Sequence, residues 1–270
     1  MRETWYYIET YSESAARNMA IDDVMMQKVH NENCPPILRF YSWQPKGLSL
    51  GYFQKINGKI DINRAAAQGA DIVRRLTGGR AVLHDDELTY SVILPESHPA
   101  MPSSVTESYK ILSQGLLEGY RHLDIPAVMA TQKNDGKPDG SAVCFEEPSW
   151  YELLVNGKKA AGSAQVRKQG VILQHGSIPI TVDTDALYDL FIYPSEKVKT
   201  RMREGFSSKA TSIAAELGKR PDFSNVAEAF YTGFKQGLNL DFQQYTFTEE
   251  EEVKIEQLTK EKYTFSTAQV

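Results

Sequence analysis

Two short stretches of this 270-residue chain concentrate side chains able to do chemistry. The first is Arg74-Arg75-Leu76-Thr77-Gly78-Gly79-Arg80-Ala81-Val82-Leu83-His84-Asp85. Two arginines end one strand-like run, a glycine pair makes a turn with accessible backbone N–H groups, and Arg80 opens the next run. Together they describe a small anion-binding concavity. The stretch lacks the Gly-Lys-Ser/Thr ending of a Walker loop, and an ordinary hairpin with solvated arginines would have the same pattern. The second stretch, Gly157-Lys158-Lys159-Ala160-Ala161-Gly162-Ser163-Ala164, sets two lysines just after a turn, in a strand of small residues. Small residues in a strand lose packing, which suggests that a ligand or another backbone lies close. The alternative is the solvated edge of a hairpin.

A thiol is the third chemical element. Cys144 follows a loop rich in Lys, Asp, Gly and Pro (132–141) and precedes Pro148, a setting where a thiol can meet a ligand, although Val143 and Phe145 would also suit a small buried hydrophobe. Cys34 has no context beyond Pro35 and is read as structural. His84 is followed by Asp85, Asp86 and Glu87, but strand neighbours alternate faces and cannot all converge on one ion. With no HExxH, CxxC or second histidine at ligand spacing, no metal is expected. His84 is then a hydrogen-bonded imidazole or a proton carrier. No GxSxG elbow is present.

The elements that must position these groups are legible from periodicity. A helix from about 15 to 30, capped by Ser12 or Ser14, turns Ala16, Met19, Ala20, Val24 and Met25 toward a core, and Pro35-Pro36 stops it. Strand-like runs follow at 37–43, 48–52, 71–75, 80–83 and 88–94. A capping box, Ser104 to Glu107, opens one amphipathic helix reaching Leu123. The runs 150–155 and 158–166, joined by Asn156-Gly157, read as a hairpin with a type I′ turn, and 171–173 and 176–181 continue the sheet. From about 183 the pattern turns helical, at 183–191, 195–203, 208–217, 224–237 and 248–262. Strands first and helices late predict an α+β fold, a mixed β-sheet packed by helices, in a single domain over 1–270.

Composition narrows the classes. The chain is 41% apolar and 24% charged, which excludes disorder, collagen and coiled coil. Two cysteines suit a reducing compartment, and neither a signal peptide pattern nor a membrane-length apolar run is present, so a cytoplasmic protein is expected. A net charge of −5 argues against a general nucleic-acid binder but leaves room for a local basic patch.

Seven spaced segments in one order resemble the lipoate and biotin cofactor-transferase family, and closely its octanoyl-carrier-protein:protein octanoyltransferases. They run from Asn18-Met19-Ala20-Ile21-Asp22 through Arg39 to Trp43, Leu50 to Gln54, Arg74 to His84, Val143 to Glu152 and Lys159 to Gln165 to Leu173-Gln174-His175-Gly176-Ser177. The resemblance implies the α+β catalytic domain of biotin and lipoate protein ligases, related to class II synthetases. In relatives the arginine–glycine segment and the lysine strand enclose the acyl chain. Here that corresponds to Arg74, Arg75, Thr77, Gly78, Gly79, Arg80 and His84 with Gly162 and Ser163. The family lysine maps onto Lys159, which precedes Ala160-Ala161-Gly162. Cys144, within Cys-Phe followed by Pro-Ser-Trp-Tyr-Glu, distinguishes the transferase type from ATP-dependent ligases. Arg80 stands where many ligases have a third glycine.

The resemblance further implies a two-step octanoyl transfer without ATP or other cofactor. The donor is an octanoyl-acyl carrier protein and the acceptor is a lipoyl-accepting domain such as the glycine cleavage H protein. Cys144 is the nucleophile and Lys159 its partner. Arg74, Arg75, Arg80, Lys158, Lys159, Arg167 and Lys168 are expected to form a basic rim for an acidic carrier. The other readings are an ATP-dependent lipoate ligase, an amidotransferase moving octanoyl between lipoyl domains, and an inactive binder of acylated proteins.

Overall fold

The computed structural model describes residues 2–56, 58–131 and 151–265. In chain order its elements are β1 (Glu3–Glu13), α1 (Ala15–Asn31), β2 (Ile37–Trp43), β3 (Gly47–Leu50), α2 (Ile62–Ala67), β4 (Asp71–Arg74), β5 (Val82–His84), β6 (Glu87–Pro95), α3 (Val105–Leu112) and α4 (Gln114–His122). They continue with β7 (Ala127–Thr131), β8 (Tyr151–Val155), β9 (Lys158–Lys168), β10 (Val171–Pro179), α5 (Thr184–Asp189), α6 (Glu196–Lys209), α7 (Ile213–Leu217), α8 (Phe223–Gly237), β11 (Leu240–Gln244) and α9 (Glu249–Leu258), which runs into a π-helical turn, Thr259–Tyr263. Among the described residues an eight-stranded mixed sheet has the order β11-β1-β2-β6-β10-β9-β8-β7, and β4-β3-β5 form a small second sheet. The architecture is the expected α+β type.

Alternation along the central strands divides the core in two. Leu38 and Phe40 of β2, Leu88, Tyr90, Val92 and Leu94 of β6, and Ile172 and Ile178 of β10 point to one face. There they pack against Leu112, Leu116 and Tyr120 of α3 and α4 and Phe230 and Phe234 of α8. The intervening residues point to α1 and begin apolar, with Ile37, Ile93 and Leu173 in register. The next rows toward the other end are Arg39, Ser91 and His175, then Tyr41, Thr89 and Ser177. The same three strands therefore carry a dry face and a face that turns polar where the site lies.

Local signals explain the elements. Ser14 caps α1, its hydroxyl accepting from the Arg17 N–H at 3.3 Å, and Asn156 and Gly157 both have positive φ (50° and 76°), as a type I′ turn requires. Several details depart from the sequence reading: helix α2 was not anticipated, and in place of helices at 195–203 and 208–217 the structure has α6, unbroken to Lys209, and the short α7. Strands β1, β7 and β11 were not anticipated, and β11 interrupts the helical C-terminal part. The helix expected from Ser104 to Leu123 breaks at Ser113, because α3 lies over β8 while α4 closes onto α8, where Gly119 and Gly233 come within contact. The last helix ends as a π-helical turn that brings the Tyr263 hydroxyl to Asp23 Oδ2 at 2.9 Å.

Candidate active site

A cavity of about 230 Å³ lies between the polar rows of the large sheet, α1 and the small sheet. Met19, Tyr41, Trp43, Val82 and Ala164 supply apolar wall. Arg75, Gly79, Arg80, His84, Lys159, Gly162 and Ser163 also line it, so the arginine–glycine stretch and the lysine strand meet there. Cys144 lies outside the described residues.

The arginine–glycine segment is built by its own arginines. The buried Arg75 guanidinium donates to the carbonyls of Ser49 (3.0 Å), Gly78 (2.8 Å) and Arg80 (2.7 Å) and to the hydroxyls of Ser49 and Thr77. It clamps the loop. Arg74 does not reach the cavity: its Nη1 donates to the carbonyls of Gly51, Tyr52 and Gln54, fixing the turn after β3. That turn presses on Gly79, and a Cβ on Gly51 would stand 1.9 Å from the Gly79 carbonyl oxygen. Glycine is required at 51 by that approach and favoured at 79 by φ of 98°.

His84 sits in a chain of polar partners. Its Nε2 bonds Ser49 Oγ at 2.8 Å, its Nδ1 bonds Glu87 Oε1 at 2.7 Å, and the Trp43 ring stacks on it with centroids 4.1 Å apart. Glu87 also accepts from Thr89 (2.5 Å) and Ser177 (2.6 Å). A second chain starts at Thr77, whose Oγ1 lies 2.6 Å from His175 Nε2; His175 Nδ1 faces Asp22 Oδ2 at 3.4 Å. Asp22 accepts from Arg39 (2.8 Å), Ser91 (2.9 Å) and Tyr41 (3.4 Å). Burial works to raise the pKa of the Asp22 carboxyl, but Arg39 and His175 outweigh it and hold it below the ordinary carboxylate value. Burial lowers the pKa of His175 despite Asp22, so the imidazole is held neutral. A neutral ring accepts from the Thr77 hydroxyl and donates to Asp22.

Lys159 is buried on the cavity wall and pairs with the equally buried Glu152, Nζ to Oε1 3.2 Å, while Lys158 is more exposed. The expected basic rim is not one surface. Arg75 and Lys159 are buried, Arg167 donates to the Pro102 carbonyl at 2.8 Å, and eight strand residues put Arg167 about 26 Å along β9 from Lys159. Cys34 is a half-buried free thiol, its pKa raised by burial. Asp22, Trp43, Ser49, Glu87, Glu152 and His175 join the site beyond the residues singled out from sequence. Charged Asp22 on the buried side of α1 and Arg39 in an otherwise apolar strand were the available signals.

A lysine–carboxylate pair and two histidine networks thus meet an apolar wall at one cavity of the mixed sheet. Residues 14–235 match the model of the lipoyl protein ligase A/B catalytic domain, and the chain belongs to that family. It is 48% identical over 267 residues to octanoyltransferase LipM of Anoxybacillus flavithermus (97% of this chain, 96% of the relative) and 45% identical over 267 residues to that of Bacillus subtilis, with the same coverage. The chain is an acyltransferase. Its fold is shared with a bipartite lipoate protein ligase of Thermoplasma acidophilum (TM-score 0.78, 22% identity, 96% and 93% of the two chains). It is also shared with lipoate-protein ligase A bound with ATP (TM-score 0.76, 24% identity, 100% and 98%). Among the described residues no helix is long and apolar enough to cross a membrane.

Proposed function

We propose that the chain transfers octanoyl from octanoyl-acyl carrier protein to a lysine of a lipoyl-accepting domain, such as the glycine cleavage H protein, in lipoate biosynthesis. Similarity to the named octanoyltransferases supports the acyl group, and the buried Lys159–Glu152 pair on the cavity wall carries the chemical assignment. The Cys144 thiol attacks the thioester carbonyl, the carrier's thiol leaves, and octanoyl is held as a Cys144 thioester. The acceptor ε-amine then attacks that carbonyl, the Cys144 thiol is regenerated, and an amide forms with the amine's surplus proton lost to solvent. Because a thioester donor arrives activated, ATP has no place in the balance.

In this reading the Lys159 ammonium, oriented by Glu152, favours the Cys144 thiolate and the oxyanion that develops at the carbonyl. The apolar wall from Met19, Tyr41 and Trp43 takes the hydrocarbon, while Arg75, Thr77, Gly78, Gly79 and Arg80 shape the loop over it. Gly162 and Ser163 leave room beside Lys159. His84, bonded to Ser49 and Glu87, orients that wall and Arg74 holds the supporting turn.

Intact-mass measurement tests this directly. Mixing with octanoyl carrier protein should add one octanoyl group to the wild type and none to Cys144→Ala. Adding the acceptor domain should discharge it without ATP or magnesium. Acceptor modification from free octanoate or lipoate plus ATP, with Cys144→Ala still competent, would make this a ligase.

A further inference from the structure

Helix α6 carries Lys197, Lys199, Arg201, Arg203 and Lys209 against Glu196 and Glu204, in a chain whose net charge is −5. Lys199 is committed to Asp189 and Arg203 to Asp185. Lys197, Arg201 and Lys209 are exposed and make no ion pair among the described residues. Spacing by four puts Lys197, Arg201, Gly205 and Lys209 along one ridge of the helix. Gly205 weakens a helix interior, and the fold gives no reason for it: a Cβ there would meet nothing within 4 Å. Close approach of another molecule would supply one. Two apolar side chains, Val198 next in sequence to the ridge's first cation and Ile192 shortly before the helix, are 37% and 51% exposed. The Ile192 N–H donates to the Lys59 carbonyl at 3.0 Å, which brings the exposed Lys59 to the same border.

The ridge leads to the chemistry. Residue Ala210, directly after Lys209, bridges the backbone of Lys159, and the Thr211 N–H donates to the Lys159 carbonyl at 2.9 Å. Fourteen residues make α6 about 21 Å long, so a partner lying on it spans from the outer surface to the wall that holds Lys159.

We propose that the α6 ridge is the docking face of the donor, an acidic carrier protein presenting its acyl group on a phosphorylated arm. The proposal rests on the transfer reaction above. Charge selects the donor over the acceptor: an acidic surface and a phosphate are both drawn to this field, whereas the acceptor must bring a cationic lysine through it. Ile192 and Val198 add exposed apolar surface at the outer end of the ridge.

Steady-state kinetics with two donors, octanoyl carrier protein and octanoyl-pantetheine, test it. In K197E/R201E/K209E the KM for octanoyl carrier protein should rise at least about tenfold, with kcat within about twofold and a flatter salt dependence. Octanoyl-pantetheine, which has neither protein nor phosphate, should be used as by the wild type. The neutral Gly205→Gln should raise the same KM, and circular dichroism should find both variants folded. Unchanged KM for the carrier in both, or a rise confined to the acceptor domain, would overturn the proposal. Titrating fluorescently labelled carrier onto wild type and variant without turnover separates the two ideas. Wild-type transfer with no difference in carrier affinity sinks the docking face alone. Carrier binding lost in the variant, from a protein that performs no transfer, sinks the reaction alone.

Discussion

The two faces of the large sheet are built from the same strands and obey different rules. Toward α8 the strands present Phe40, Tyr90, Val92 and Ile172, closed by Phe230 and Phe234, and α4 and α8 approach until Gly119 and Gly233 touch. Toward α1 they present Arg39, Ser91, His175, Thr89 and Ser177, and the helix answers with Asn18 and Asp22. The first face is held by volume, the second by directed bonds, and the cavity that holds Lys159 and His84 is bordered by the second. Buried charges that are fully bonded orient a site at little net gain in stability over apolar residues of the same size. Equal losses of stability on the two faces should therefore have unequal consequences for activity.

The sharpest way to break that contrast is a matched pair of substitutions. Phe230→Ala removes a fully buried ring and should cost about 3–5 kcal/mol in urea unfolding, with the activity of the folded fraction unchanged. Arg39→Leu should cost a similar amount, about 3–5 kcal/mol, because it leaves Asp22 buried without its cation. Here activity should fall as well, since Asp22 holds His175 and His175 holds Thr77. The double variant Asp22→Leu/Arg39→Leu should regain stability but not activity. If it regains both, the network is scaffolding alone.

Next in size is Lys159. Lys159→Ala should lower kcat for acceptor modification at least about a hundredfold, roughly 2.7 kcal/mol of barrier, with unfolding midpoints close to wild type once Glu152→Gln removes the stranded carboxylate. Lys158→Ala should stay within a few-fold. Equal losses at 158 and 159 would mean that both only recruit carrier. Smaller again is the glycine contact: Gly233→Ala, whose Cβ would stand 2.2 Å from the Gly119 amide nitrogen, should cost about 1–3 kcal/mol through overpacking and leave kcat alone. A lowered kcat there would mean that the helix pair communicates with the cavity.

What was legible in the sequence divides along the same line. Strand β2 has the limits that its aromatic and aliphatic run sets, and the Asn156-Gly157 turn has the dihedrals that its residues favour. Each rests on local chemistry. That Arg75, Arg80 and His84 meet Lys159 was implied by the family resemblance and not by spacing, since the two stretches are far apart in the chain and meet at one cavity. The network beneath them was not: Asp22 and His175 are 153 residues apart, and they meet only because Arg39, Ser91 and His175 fall in one cross-strand row under α1. No spacing rule encodes a register between three strands. Arg74 fails for the opposite reason, since a guanidinium beside a glycine loop looks like an anion ligand until its donors are found on the carbonyls of Gly51, Tyr52 and Gln54.

The smallest effect is the most specific to the polar face. Burial holds the pKa of His175 below its ordinary 6.5, so in the native state the ring remains neutral at pH values where the unfolded chain has already bound a proton. The unfolded state then binds more protons, and stability rises with pH through that window. Read the other way, the contribution is complete above about 6.5 and is lost as pH falls from there toward the folded pKa. Asp22, whose pKa is held below 3.8, acts in the same direction only in stronger acid, so the two separate along the pH axis. Between pH 7.5 and 5.5, His175→Asn should therefore flatten the pH dependence of the unfolding free energy obtained from urea titrations, by at most about 1.4 kcal/mol per pH unit, the limit for one proton. Histidines elsewhere cancel in the difference between the two proteins. Identical slopes for wild type and His175→Asn would mean that the ring takes up its proton without disturbing Thr77 and Asp22, and that the polar face tolerates charge where its bonding pattern says it should not.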